Sequence, residues 1–139
     1  VTPIQVLNFT NLLATNGSAE PPHFVMVDNL PKNVEPKLNM EIWSQIKQDM
    51  ENVIIHENGT GKIANPYLKN ATVFGKTGTA ENPHGKDHAW FIGWISFKRE
   101  LYSVVVLMEN AGSGGTKAAP IAKQVFKSIF KHTTKQEKL

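Results

Sequence analysis

The chain has 139 residues, of which 40% are hydrophobic and 19% are charged, and its formal net charge is +3. This length and composition are those of one globular domain and exclude an intrinsically disordered chain. There is no cysteine, which excludes disulfides, thiolate metal sites and a cysteine nucleophile; no stretch reaches the roughly 18 apolar residues of a membrane-spanning helix.

The two ends of the chain and the placement of its charges bear on its completeness, its tail and its partners. The sequence opens on VTPIQV without an initiator methionine or a basic-then-apolar leader, and we therefore expect a piece of a longer protein. Part of the basic surplus lies in residues 131–139, KHTTKQEKL, which we expect to be a flexible, solvated tail. No basic stripe with interleaved aromatic residues is present, so we expect no nucleic-acid partner.

The first half of the chain predicts two helices with a strand between them. Thr2 is suited to an N-cap and Pro3 to the first helical position, and the Asn-Gly pair at 16–17 favours a left-handed stop. Residues 22–28, PHFVMVD, have strand composition. Asn39 predicts the N-cap of a second helix, whose apolar residues recur at three-to-four spacing until the Asn-Gly pair at 58–59.

The second half predicts three antiparallel strands and a closing helix. We expect a loop over 59–70, strands over 73–79 and 88–97, and a third strand over 101–108. The third strand is continuously apolar, which favours burial on both faces. The glycine-rich stretch 110–115 predicts a flexible connector, and 118–130 a helix with one apolar face. Together these elements predict an α+β fold, an antiparallel sheet covered by helices.

The end of the first of these strands carries the motif Lys-Thr-Gly-Thr at positions 76–79. Lys76 supplies a positive charge, Thr77 and Thr79 supply short hydroxyls, and Gly78 lets an extended ligand lie against the backbone. These groups could hold a carboxylate and a carbonyl oxygen, and a backbone N–H beyond the glycine could face a developing oxyanion. An exposed strand end with a glycine at a bulge is the alternative interpretation.

Several longer segments give this motif a family context. K-T-G is one of three signatures of penicillin-binding proteins and class A β-lactamases, and VTPIQVLNFTNLLATNGSAEPPHFV resembles the helix and strand that precede it in class B penicillin-binding proteins. FGKTGTAE with HAWFIGW resembles their third and fourth strands, and GTKAAPIAKQVFKSIF their closing helix. The chain, HGKDHAWF in particular, resembles the elongation-type D,D-transpeptidases of rod-shaped bacteria. The resemblance implies that residues 1–139 are the C-terminal part of one transpeptidase domain.

The resemblance also implies roles for the motif residues. Lys76 corresponds to the lysine that stabilises the site electrostatically and supports proton transfer at the nucleophile. Thr77 and Thr79 correspond to positions that bind the terminal carboxylate of a D-Ala-D-Ala stem peptide or of a β-lactam, with Gly78 beside them. The backbone N–H of Thr79 corresponds to an oxyanion donor, so the implied catalytic residues are Lys76 and Thr79.

The chain departs from the family pattern at the nucleophile. The family's serine and its lysine base belong to S-x-x-K, which precedes S-x-N and then K-T-G. The two literal S-x-x-K matches are Ser44 with Lys47, inside a helix of structural character, and Ser128 with Lys131, after K-T-G. No S-x-N is present. We therefore expect the catalytic serine to lie outside this chain, and the chain alone to be inactive.

Two other patterns could indicate a metal or a phosphate site. His84, Asp87 and His88 lie in a predicted hairpin, where the helical i, i+4 spacing of paired metal ligands is missing. Residues 112–118, GSGGTKA, lack the order of a P-loop, because the threonine precedes the lysine. We therefore expect surface histidines, a glycine connector, no metal and no cofactor.

The resemblance implies partners and a location for the complete protein. These are stem peptides and β-lactams, the remainder of the transpeptidase domain, a membrane glycosyltransferase and rod-shape scaffold proteins. The implied location is the periplasmic face of the inner membrane, with an anchor outside this chain. A class D β-lactamase or a β-lactam sensor remains an alternative, as does a non-catalytic binding or scaffold domain of the same fold.

Overall fold

The computed structural model describes residues 1–25 and 36–136, with side chains described as far as residue 131. In chain order, the elements are helices α1 and α2, a short 3-10 helix, strands β1, β2 and β3, and helix α3. Their bounds are Pro3–Ala14, Met40–Ile55, Lys62–Ala64, Ala71–Ala80, His88–Phe97, Glu100–Met108 and Ala118–Gln136. The predicted α+β class is confirmed. None of the described helices is both long enough and apolar enough to cross a bilayer.

The two N-terminal helices begin at the residues that the sequence predicted. Thr2 and Gln5 form a capping box in which each side chain accepts a hydrogen bond from the other residue's backbone N–H, at 3.4 and 2.8 Å. Gly17 has a φ of +90°, as expected after a helix that ends in a left-handed turn. Asn39 Oδ1 accepts the backbone N–H of Ile42 at 2.9 Å and caps α2.

The three strands form one antiparallel sheet in the order β1-β2-β3. In its register Lys76 lies opposite Ile92, Gly78 opposite Trp90, and Thr79 opposite Ala89. Strand β2 therefore occupies one edge of β1, while the other edge of β1 has no strand partner in the described part of the chain. The motif at 76–79 thus lies at an open edge of the sheet.

Each face of the sheet carries a separate apolar cluster, because side chains alternate along the strands. One cluster lies under α3 and consists of Ile54, Ala64, Val73, Ala89, Phe91, Ile95, Val104, Val106, Ala118, Ala119, Ala122 and Phe126. The other lies under α1 and α2 and consists of Leu13, Ala14, Trp43, Met50 and Trp94, with Ile46, Phe74 and Ile92 packed against it. Phe74 and Trp94 stack at 4.8 Å between ring centroids. The sheet is therefore held between helices on both faces.

Several sequence predictions differ from the structure. The predicted strand over 22–28 is absent from residues 22–25, and 26–28 lie outside the described residues. Helix α2 ends at Ile55, three residues before the predicted stop, and α3 runs past residue 130 to Gln136. In β3 only Val104 and Val106 are buried, because the other face is covered only in part by α1. The flexibility predicted for the tail 131–139 stays a prediction.

The connection between β3 and α3 also differs from the flexible connector that the sequence predicted. Gly114 within it is buried, and its carbonyl oxygen accepts the backbone N–H groups of Ala118 and Ala119 at 3.0 and 2.9 Å. Earlier in the connection, the N–H of Gly112 donates to the carbonyl of Asp87 at 2.8 Å. The glycines therefore allow close packing against the sheet here.

Candidate active site

The candidate site is centred on Lys76, at the open edge of β1. The side chain of Lys76 is exposed, and its Nζ donates a hydrogen bond to the carbonyl oxygen of Thr77 at 2.8 Å. Lys76 also lines two grooves, one apolar and one polar, which meet the strand at this point. A fixed positive charge at a free strand edge is suited to an extended ligand that ends in a carboxylate.

Thr77 is held in place by a residue that the sequence did not point to. The hydroxyls of Thr77 and Thr60 are 2.7 Å apart, and either can donate. Thr60 lies in the turn after α2, where the N–H of Gly61 donates to the carbonyl of Val53 at 3.1 Å. This hydrogen bond ties the end of α2 to the motif strand, and it leaves the Thr77 hydroxyl with capacity for further partners.

The apolar groove runs along the face of the sheet that carries Gly78. It has a volume of about 210 Å³, and the atoms exposed in it are almost entirely apolar. The residues that line it are Val1, Val6, Lys76, Thr77, Gly78, Trp90 and Ile92. A Cβ atom placed on Gly78 would lie 3.3 Å from the Cβ of Trp90. The missing side chain at Gly78 therefore keeps this part of the groove open beside the strand.

The polar groove lies on the other side of Lys76, against the last turns of α2. It has a volume of about 410 Å³ and is lined by Asp49, Asn52, Val53, His56, Asn58, Gly59, Thr60 and Lys76. The α2 residues in this lining recur at helical spacing and so share one face of the helix. Carboxylate, amide and imidazole groups thus border the lysine on the side away from the apolar groove.

Not every predicted site residue meets these grooves. Lys76, Thr77 and Gly78 line the apolar groove together, whereas Thr79 is exposed on the same strand and lines neither groove. The role expected of Thr79 rests on its backbone N–H and hydroxyl at the strand end. The assignment of Lys76, Thr77, Gly78 and Thr79 to a site stays a prediction from the sequence. In the structure, a groove lies beside the first three of them.

The two serines of the S-x-x-K matches lie in helices. Ser44 is exposed on α2, and within the described part of the chain no hydrogen bond joins it to Lys47. Partial burial lowers the pKa of Lys47 below its usual value. Ser128 lies on α3 and its hydroxyl donates to the carbonyl of Gln124 at 3.0 Å. Neither serine lines the grooves beside Lys76.

The histidines of the β1–β2 hairpin make structural contacts. His88 Nδ1 accepts the backbone N–H of Asn110 at 3.0 Å, and the N–H of His84 donates to Asn82 Oδ1 at 3.1 Å. Asn82 Nδ2 in turn donates to Asn110 Oδ1 at 2.6 Å. These bonds join the hairpin to the start of the β3–α3 connection.

Comparison with known proteins assigns the chain to a family. A family model for the penicillin-binding protein transpeptidase domain matches residues 1–127, which is most of the sequence. The chain therefore belongs to the family of penicillin-binding protein transpeptidase domains. It is 34% identical to the peptidoglycan D,D-transpeptidase MrdA of Haemophilus influenzae, over 89% of this chain and 23% of that protein.

Solved structures show the same relationship. PBP2 of Pseudomonas aeruginosa, in complex with WCK 5153, is 30% identical with a TM-score of 0.65, over 91% of this chain and 29% of that one. PBP2 of Helicobacter pylori, in a complex with MreC, is 27% identical with a TM-score of 0.70, over 91% of this chain and 24% of that one. The predicted resemblance to class B penicillin-binding proteins of the elongation type is confirmed. The chain spans about a quarter of the length of these relatives.

Proposed function

We propose that this chain is the C-terminal part of a peptidoglycan D,D-transpeptidase of cell-wall elongation, and that it supplies the K-T-G side of the active site. The observation that carries the proposal is the position of Lys76, Thr77 and Gly78, at an open strand edge beside an apolar groove. The family of the chain supports the reaction type, since its family model and its MrdA relative both carry the name transpeptidase. The same names favour a transpeptidase over a β-lactamase or a β-lactam sensor.

In this proposal the donor stem peptide lies along the outer edge of β1. Main-chain hydrogen bonds to the free edge hold the peptide extended, and Gly78 permits its close approach. The terminal D-Ala carboxylate meets the hydroxyls of Thr77 and Thr79 and the charge of Lys76, which together offset its desolvation. A β-lactam presents a carboxylate in the same way and is bound by the same groups.

The chemistry needs a serine from outside this chain. Its Oγ attacks the carbonyl carbon of the D-Ala–D-Ala bond, the terminal D-Ala leaves with a proton on its amine, and an acyl-enzyme remains. An amine of a neighbouring strand then attacks the ester and releases the serine. During both attacks the backbone N–H of Thr79 faces the oxyanion, and the ammonium of Lys76 stabilises negative charge around the nucleophile.

The partners and location of the complete protein are proposed from its relatives. A PBP2 of this family has been solved in a complex with MreC, which supports a scaffold partner for the protein that contains this chain. A membrane glycosyltransferase and the remainder of the transpeptidase domain are further proposed partners. Cross-linking of peptidoglycan would take place outside the cytoplasm, so we propose an extracytoplasmic site with an anchor elsewhere in the protein.

The experiment that tests this function is acylation of the whole protein by a fluorescent penicillin. We expect Lys76→Ala to slow acylation by roughly a hundredfold or more, on the order of 3 kcal/mol of transition-state stabilisation. Lys127→Ala, which removes an exposed lysine of α3, is the matched control and should acylate at the rate of the unmodified protein. If the Lys76→Ala protein is acylated at nearly the normal rate, the motif has only a structural role and the proposal is wrong.

A further inference from the structure

The connection between β3 and α3 presses against the main chain of the K-T-G strand. A Cβ atom placed on Gly114 would lie well inside van der Waals distance of the carbonyl oxygens of Gly78 and Trp90, and 2.9 Å from the backbone nitrogen of Gly78. Main-chain atoms of a paired strand cannot move aside as a flexible side chain can. Only glycine therefore lets the connection lie this close to the strand at Gly78.

The next residue of the connection, Gly115, lies against the turn that contains Thr60. A Cβ atom on Gly115 would lie 2.7 Å from the carbonyl oxygen of Thr60, which is again closer than an ordinary contact. Thr60 is the residue whose hydroxyl lies 2.7 Å from that of Thr77. Two consecutive glycines thus contact the strand at Gly78 and the turn that holds Thr77.

This contact lies on the face of the sheet opposite to the apolar groove. The connection leads into Ala118 and Ala119, which pack in the same cluster as Ala89 and Phe91 of β2. Side chains alternate along a strand, so Trp90 points to the other face, where it lines the groove. The connection therefore supports the strand on the face opposite to the groove, while a ligand would approach along the free edge of β1.

The connection is fixed at both ends and can act as a rigid support. At its start, the Asn82–Asn110 side-chain bond and the bond from the Gly112 N–H to the Asp87 carbonyl join it to the β1–β2 hairpin. At its end, the Gly114 carbonyl accepts two N–H groups from the first turn of α3. A side chain added at Gly114 would therefore move β1 more readily than it would move the connection.

We propose that Gly114 is a positioning residue for the active site, and that it sets the place of the Gly78–Thr79 main chain against the reacting carbonyl. This inference rests on the function proposed above. A side chain at Gly114 would overlap the carbonyl oxygens of Gly78 and Trp90, so it pushes the strand towards the groove. Since a misplacement of about 1 Å can reduce a rate a hundredfold, the chemical step suffers even though no group that touches the ligand is altered.

The test compares Gly114→Ala with Ser113→Ala in the whole protein. Ser113 is the exposed neighbour in the same connection and serves as the matched control. Stopped-flow mixing with a fluorescent penicillin separates the first-order acylation rate constant from the dissociation constant of the initial complex. All proteins are measured at one temperature, well below the lowest of their melting temperatures, so that each is folded and the rate constants can be compared directly. We expect Gly114→Ala to lower the acylation rate constant by about thirtyfold or more, with a smaller change in the dissociation constant.

A second variant keeps the test decisive if Gly114→Ala does not fold. Gly115→Ala places its Cβ against a single carbonyl, that of Thr60, and should fold with a smaller fall in the same rate constant. If the foldable variants acylate as Ser113→Ala does and differ only in melting temperature, the connection is structural and the proposal is overturned. Lys76→Ala in the same series distinguishes the role of Gly114 from the proposed function. A normal acylation rate in Lys76→Ala would contradict the proposed function itself.

Discussion

At the scale of the single residue, Gly78 keeps part of the apolar groove open because it has no side chain. A substituent there would enter the apolar groove, where its Cβ would lie 3.3 Å from the Cβ of Trp90. This contact is tight but lies on the groove side, and valine is well suited to a strand. Gly78→Val should therefore leave the fold intact and block the approach of an extended ligand.

We expect Gly78→Val in the whole protein to abolish β-lactam binding with an unchanged circular dichroism spectrum. The measurement combines that spectrum with titration of acylation by a fluorescent penicillin. Loss of both signals would mean that Gly78 serves the backbone conformation of β1. Retained binding would place the ligand away from this strand and count against the proposed site.

The residues of the candidate site differ in how readily the sequence reveals them. Lys76, Thr77 and Gly78 could be predicted because a short motif at a strand end places them together without any knowledge of the fold. Thr60 could not, because its contact with Thr77 joins positions 17 residues apart. Gly114 was predicted to lie in a flexible connector, since a glycine that is needed for close packing looks the same in a sequence as one that is needed for freedom.

At the scale of the element, helix α2 carries a lysine whose environment disfavours its charge. Burial lowers the pKa of Lys47 below its usual value of 10.5. The folded state therefore holds this proton less tightly than the unfolded state does. The free energy of unfolding should rise with pH in the interval between the lowered pKa and 10.5, and the charged lysine should cost stability below that interval.

We therefore expect Lys47→Met to raise the stability of the domain at neutral pH, with a gain that shrinks as the pH approaches 10.5. Urea unfolding of the whole protein at several pH values measures the effect, with Lys127→Met on α3 as the exposed control. An equal response from both variants would show that burial of Lys47 has no energetic consequence. A gain that grows with pH would contradict the direction of the pKa change.

The elements themselves were predicted unevenly, for physical reasons. The bounds of β2 agree with the prediction because polar turns flank an apolar, aromatic strand on both sides. Its hairpin with β3 turns at Lys98 and Arg99, both with positive φ, as a tight hairpin requires. Residues 22–25 have strand composition but no strand in the structure, because composition alone does not supply a partner strand.

At the scale of the whole molecule, the sheet has an unpaired edge at each side within the described residues. Strand β3 is the last in the order, and Leu101 beside its outer edge is exposed. An open apolar edge of this kind is an aggregation hazard that proteins normally cover. This agrees with the proposal that the remainder of the transpeptidase domain is a partner of this chain in the complete protein.

In the proposed function, residues 1–139 form one wall of an active site whose serine lies elsewhere in the same protein. The most direct measurement is to label the whole protein with a fluorescent penicillin, digest it, and identify the modified peptide by mass spectrometry. We expect one modified serine, outside residues 1–139. A label on Ser44 or Ser128, or a whole protein that no penicillin modifies, would contradict it.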